Sequence, residues 1–265
     1  MLKQASASFI SMLDTRLMPG MERFSNTPLL VAVRSGLAVT MPLVLLGSLA
    51  VLMNSFPLPA YKVFMAETFG PEWRFFGSVL WSSTFAVMSL TMQFGVGTHI
   101  AQQYNDDNPR NMVSPLIAGV VSFAALLPLI AMDGGGLSTR WMGVSGLFVS
   151  TFVAITAVKR VLALYSVKRS RPHLPGGPPD FAMPDMFNSL LPGVLTILVF
   201  AMGAFILHIT SDTTVHEMFY QLLRKPFDII GDGFARGMFY IFSLQGLWFF
   251  GIHGANVLDP ITHDI

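Results

Sequence analysis

LLVAVRSGLAVTMPLVLLGSLAVLM, residues 29–53, decides the fold class, because across these 25 residues Arg34 is the only charge. As a helix the stretch covers about 37 Å, enough to cross a hydrocarbon core of roughly 30 Å with some tilt. Pro42 in its middle predicts a kink, which membranes tolerate where neighbouring helices satisfy the freed carbonyl. Upstream, residues 1–28 carry Lys3, Asp14, Arg16, Glu22 and Arg23 and have no apolar core of secretory-signal length. They are expected to form a cytoplasmic or interfacial segment.

Downstream the same alternation repeats. Residues 54–74 (NSFPLPAYKVFMAETFGPEWR) mix turn residues with both signs of charge and read as an interfacial connection. Uncharged runs follow at 75–105, 112–132 and 141–158, the last ending at Lys159 and Arg160, and each is long enough for a span. Residues 168–185 hold five prolines and two glycines and mark an exposed linker. A fifth span is expected at 186–209. Residues 214–230 then space Met218, Phe219, Leu222 and Leu223 at helical intervals, predicting an amphipathic helix in the interface. A sixth uncharged run, 237–258, contains Gly251, Gly254 and Asn256 near its end and is expected to break before Leu258.

The whole composition agrees. The 265 residues are 52% hydrophobic and 12% charged, with mean hydropathy +0.59, against roughly 25% charged residues in an ordinary soluble domain. The expected class is an all-α integral membrane protein of about six transmembrane helices plus interfacial amphipathic helices. The formal net charge of +1 gives no sign of a nucleic-acid partner. With no cysteine, disulfides, thiolate metal sites and a cysteine phosphocarrier are excluded within these residues. Orientation follows the basic residues, which concentrate in cytoplasmic loops. With the N-terminus inside, ten of the 16 Lys and Arg fall on the inner side, five of them from Lys159 to Arg171, and six fall outside.

Several fragments lead nowhere. Asp133-Gly134-Gly135-Gly136 lacks the Gly-Lys-Ser/Thr ending of a phosphate cradle and reads as a flexible turn. Apart from Asp259 and His263, no histidine has a second ligand at i+3 or i+4 inside one expected helix, so neither a metal nor any other cofactor is expected. No nucleophile, base and orienting acid stand at recognisable local spacing, and no catalytic residue is assigned. The segment that carries chemistry is Trp248-Phe249-Phe250-Gly251-Ile252-His253-Gly254-Ala255-Asn256. Polar groups at membrane depth are costly, and here glycines can open the backbone around His253 and Asn256. An imidazole and an amide both donate and accept hydrogen bonds, which suits a neutral polyhydroxylated ligand, and Trp248 offers an apolar ring for a sugar face. The same pattern also suits a histidine that caps a helix break.

This segment closely resembles a hallmark of membrane subunit IIC of the bacterial sugar phosphotransferase system, in its lactose/cellobiose branch. Ala32-Val33-Arg34-Ser35-Gly36, Met41-Pro42, Gly47-Ser48, Phe56-Pro57-Leu58-Pro59-Ala60-Tyr61 and Met183-Pro184-Asp185-Met186-Phe187-Asn188-Ser189-Leu190-Leu191-Pro192-Gly193 resemble the family in the same order. The resemblance implies a protein of the bacterial cytoplasmic membrane that carries sugar, not an enzyme. Its partners would be separate IIB and IIA components and a second copy of itself. It implies four parts: the N-terminal segment 1–28, a dimer-contacting scaffold at 29–211, a linker helix at 212–236, and at 237–265 the beginning of the sugar-binding domain with the start of a re-entrant hairpin. His253 would contact the sugar, with Trp248, Gly254 and Asn256 beside it. The family continues into a second half with an Asn-Glu-Pro segment, which residues up to Ile265 do not contain, so a truncated subunit unable to transport alone is expected. A IIC-like sensing module, which binds sugar without moving it, is the alternative.

Overall fold

The computed structural model describes residues 15, 18–109, 112–130, 136–166, 183–211, 213–231, 233–249, 254 and 258, and no β-strand occurs among them. The glycine run lies outside the described residues apart from Gly136, as does the proline-rich linker before Met183.

After the short α1 (Met18–Ser25), the first span is a pair, α2 (Pro28–Val39) and α3 (Met41–Ser55), bent by 47°. The expected kink is there, and its cause is visible. Pro42 cannot continue α2, so it sits in the first turn of a new helix, where its missing N–H would have no intrahelical partner anyway. The Thr40 hydroxyl, at the joint, donates to the Leu37 carbonyl at 2.7 Å. Arg34 is made tolerable by donating to the Ser25 carbonyl at the end of α1. Between the first two spans, α4 (Pro59–Phe69) has no buried residue, as expected of an interfacial connection, and Gly70 ends it at φ 81°.

The second span combines α5 (Arg74–Ser83), a 3₁₀ turn at Phe85–Val87 and α6 (Met88–Asp107), together 34 residues. Helix α7 (Pro115–Ile130) is apolar but only 16 residues long, about 24 Å. A short α8 (Thr139–Met142) and a 3₁₀ turn lead into α9 (Leu147–Ser166). The expected fourth span, 141–158, is thereby shifted: the apolar helical stretch runs Val144–Ser166. Lys159 and Arg160 are exposed on its surface and do not end it, since long basic side chains can lie along apolar surface with their charges in water. Helix α10 (Met183–Ser211) begins inside the expected linker, with Pro184 in its first turn. Its stretch Asn188–Ser211 is the most apolar of the spans.

Helix α6 is the centre of this scaffold, with α2, α7 and α9 packed around it and α10 laid against α7 and α9. The crossings are close because small residues face each other. A Cβ on Gly36 would meet the Val96 backbone of α6, and one on Gly97 would come within 2.7 Å of Ser122 on α7. Hydrogen bonds between buried groups tie the same crossings. The Gln93 amide donates to the Ser122 carbonyl at 2.8 Å while the Ser122 hydroxyl donates to the Gln93 carbonyl at 3.3 Å. Asn105 brackets Val113 with two 2.8 Å bonds that fix the turn between α6 and α7. Outward, Leu45, Leu49 and Leu52 on α3 and Leu198, Met202, Phe205 and Ile209 on α10 are exposed, the surface that hydrocarbon replaces water around. The architecture is that of an all-helical integral membrane protein, with spans one, two, four and five of the expected set at spanning length among the described residues.

Candidate sugar site

Helix α11 (Val215–Ile230) leaves the scaffold after α10 and is the expected amphipathic helix. Its start is a capping box: the Thr214 side chain accepts from the Glu217 amide at 3.2 Å, and Glu217 Oε2 accepts from the Thr214 amide at 3.1 Å. Of the four apolar residues read from the sequence, Phe219 and Leu223 pack inward, whereas Met218 and Leu222 are 49% and 59% exposed. The packed face runs instead through His216, Phe219, Leu223 and Phe227, at i, i+3, i+7 and i+11. Gly231 at φ 76° and Gly233 at φ 103° turn the chain back into α12 (Phe234–Phe249), conformations that a side chain would strain.

The α11–α12 pair is held at two levels. Phe227 is 3% exposed, with the Phe239 ring 4.9 Å away edge-on and Tyr240 at 6.5 Å. Beside it Asp228 accepts from Arg224 Nε at 3.2 Å and pairs with Nη2 of the buried Arg236 at 3.6 Å, tying the two helices together electrostatically.

Gly254 is buried against α12: a Cβ placed on it would lie 2.5 Å from the Leu244 carbonyl oxygen. In a continuous helix, residues ten apart are separated by about 15 Å, so the chain has folded back between α12 and Gly254. Leu258 then joins Phe227 in the small core flanked by Leu223, Tyr240, Leu244 and Leu247. The break expected before Leu258 is thus present, and α12 alone, at 16 residues, is too short to be a span of ordinary length. Trp248, on the last turn of α12, keeps 47% of its surface exposed. Of the four expected ligand residues, Trp248 lies on the last turn of α12 and Gly254 rests against its Leu244, and His253 and Asn256 lie outside the described residues.

Sequence reasoning passed over His216, which is buried at 1% exposure where α11 meets the scaffold. Its spacing from Phe219, Leu223 and Phe227 was the available signal, masked because the exposed Met218 and Leu222 suggest a different centre for the apolar face.

A family model described as "Phosphotransferase system, EIIC" matches residues 34–265. The chain is 31% identical to the PTS system cellobiose-specific EIIC component of Geobacillus stearothermophilus, covering 97% of this chain and 58% of that protein. It is 30% identical to the lichenan permease IIC component of Bacillus subtilis, covering 96% and 57%. Among solved structures, the transporter ChbC, the IIC component of an N,N'-diacetylchitobiose-specific phosphotransferase system, superposes with TM-score 0.73 at 27% identity over 94% of this chain and 59% of that one. The chain therefore spans under two thirds of the length of these relatives.

Proposed function

The chain belongs to the EIIC family of the phosphotransferase system, and from that premise we propose that it is the sugar-carrying membrane component for a disaccharide or short oligosaccharide. Phosphoryl transfer falls to separate IIB and IIA components, and the chain itself supplies binding and passage. Residues 29–211 serve as the scaffold that two copies share, 212–236 as the link, and 237–265 as part of the sugar site. The N-terminus faces the cytoplasm. The observation that carries the reading is the fold-back that seats Gly254 on the Leu244 carbonyl, on the helix whose last turn carries the half-exposed Trp248. Such a turn supplies what a sugar needs at membrane depth: an apolar plate for one ring face, and a backbone bare enough to approach closely. His253 and Asn256, one and two positions from Gly254 in sequence, are the hydrogen-bonding partners of the hydroxyls in this proposal.

The test is equilibrium binding of labelled cellobiose to purified protein, wild type against His253→Ala, with the folded fraction measured in parallel. Removing one partner of a buried hydrogen bond costs about 1–3 kcal/mol, which is roughly 5- to 150-fold in affinity. A histidine that merely caps a helix break would lower folded yield and leave the affinity of the folded fraction unchanged. That outcome sinks the ligand role.

A further inference from the structure

His216 is an imidazole for which sugar binding has no use, in a position that is expensive for a titratable group. It is 1% exposed, and among the described residues neither ring nitrogen has a hydrogen-bond partner. It lies flat on the indole of Trp141, ring centroids 4.8 Å apart at 22°, and Trp141 is itself buried at 3% exposure. The Trp141 indole also receives the Arg140 guanidinium, 4.5 Å from the ring centroid. Trp141 belongs to the scaffold: the Ser89 hydroxyl of α6 donates to the carbonyls of Trp141 and Met142 at 2.9 and 2.7 Å. One turn further on, Phe219 packs on Phe148 and Phe152 of α9, at 5.6 and 5.3 Å. The N-terminal half of α11 is thus docked on the scaffold through stacked and edge-on rings, and a neutral imidazole is one of them.

A protonated ring would not fit that place. Imidazolium carries two donors where, among the described residues, no acceptor stands in bonding geometry, and it would share the Trp141 indole with a cation already there. Of the elements packed around it, α7 carries no ionisable side chain, α6 and α9 carry none at this end, α8 contributes Arg140 and the last turn of α10 contributes His208. On α11 itself the nearest carboxylate, Glu217, is engaged by the Thr214 amide in the capping box.

The geometry points to His216 as an acid-sensitive latch: neutral, it holds the first turns of α11 against Trp141 on the scaffold, and on taking a proton it lets them go. Burial pushes the imidazole down from 6.5 to about 4, opposed in part by the nearby Leu129 carbonyl, which stands outside bonding geometry. Because the docked form has the lower value, its contribution to docking is fully present above pH 6.5 and is lost as the pH falls toward about 4. Across that window the docking equilibrium weakens by close to tenfold per pH unit, to a limit of about 300-fold. Helix α11 connects the scaffold to α12 and the Gly254 turn, so the latch sets how firmly that connection is held. It needs no sugar, and so it stands or falls separately from the transport reading.

These 265 residues contain no cysteine, so spin labels can be placed at Thr139→Cys and Gln221→Cys, both exposed positions, on protein in lipid nanodiscs. As the pH is lowered from about 7.5 to about 4.5, the label separation should lengthen and broaden in otherwise wild-type protein. In His216→Phe, which can stack on Trp141 but cannot titrate, the separation should stay as it is at neutral pH. Glu217→Gln keeps a capping-box acceptor and should show the wild-type response, separating the histidine from the carboxylate beside it. A separation that does not change with pH in the wild type overturns the latch. So does an equal change in His216→Phe, because the acid response would then belong to another group. Should His216→Phe fail to fold, the wild-type and Glu217→Gln curves still decide: a response lost with Glu217→Gln assigns it to the carboxylate and rejects the histidine.

Discussion

Glycine does two different jobs at positions 97 and 254, although a side chain is unwelcome at both. Gly97 lets α6 lie against Ser122 of α7 inside the scaffold, where a Cβ would come within 2.7 Å. Gly254 lets the returning chain rest on the Leu244 carbonyl, outside the scaffold. Gly97→Val overpacks a closed crossing and should cost about 1–3 kcal/mol of stability, lowering the melting temperature while the surviving folded protein keeps its sugar affinity. Gly254→Val should do the reverse, weakening sugar binding at an unchanged scaffold melting temperature. Melting curves and binding isotherms on the two variants side by side check this, and a Gly254→Val protein that melts early but binds normally would remove Gly254 from the site. The two positions were unequally legible. Gly254 stands in a polar interruption of an apolar run, so its sequence context advertises a break. Gly97 sits in QFGVGTHI, where either glycine could face a neighbour or lipid. Only the packing of α7 onto α6 decides which one is crowded. His216 was illegible for a related reason, since a lone histidine among apolar residues says nothing of the tryptophan 75 positions earlier that it stacks on.

Among the elements, the sequence carried helix starts better than helix ends. Proline at 28, 59 and 115 opens α2, α4 and α7, where its fixed φ and missing amide cost nothing. The end at Ser166 has no comparable marker. Lys159-Arg160 looked like a boundary because charge is costly in lipid, yet both side chains point out of a helix that continues past them. Helix α11 has the clearest written start, Thr214-x-x-Glu217, and the structure makes both bonds of the box. Thr214→Ala removes one acceptor and should cost about 1 kcal/mol. The loss should fall on the first turn, where amide hydrogen exchange at Glu217 and Met218 should speed up about fivefold, with the exchange of α6 and α9 untouched. Faster exchange spread evenly over the scaffold would mean that α11 is part of one cooperative unit with it and not a docked arm.

For the molecule as a whole, hydropathy was enough to place a chain of mostly lipid-facing helices, and it could not say which of two apolar surfaces meets lipid and which meets protein. The outward residues of α3, Leu45, Leu49 and Leu52, look the same to a hydropathy scale in either role. If residues 29–211 are the shared scaffold of two copies, a thiol crosslinker in native membranes should trap dimers from Leu49→Cys or another single cysteine on this face; monomer from every position around the scaffold would remove the claim. Orientation is a separate matter, and structure and charge supply different halves of it. Ser138 precedes the apolar helical stretch Val144–Ser166, of 23 residues, and Ser170 follows it. A helix of that length covers about 34 Å, a full hydrocarbon core, so its two ends belong to opposite faces of the membrane whichever way the protein is inserted. Which one is inside is read from the basic residues, five of which run from Lys159 to Arg171, and the proposed orientation puts these on the cytoplasmic side. In intact cells a membrane-impermeant maleimide should therefore label Ser138→Cys and not Ser170→Cys, with both reacting once the membrane is permeabilised. Labelling only at Ser170→Cys would reverse the orientation and leave the fold intact, and it would also put the α11 end of the scaffold on the cytoplasmic side. Labelling at both in intact cells would mean that α9 does not cross.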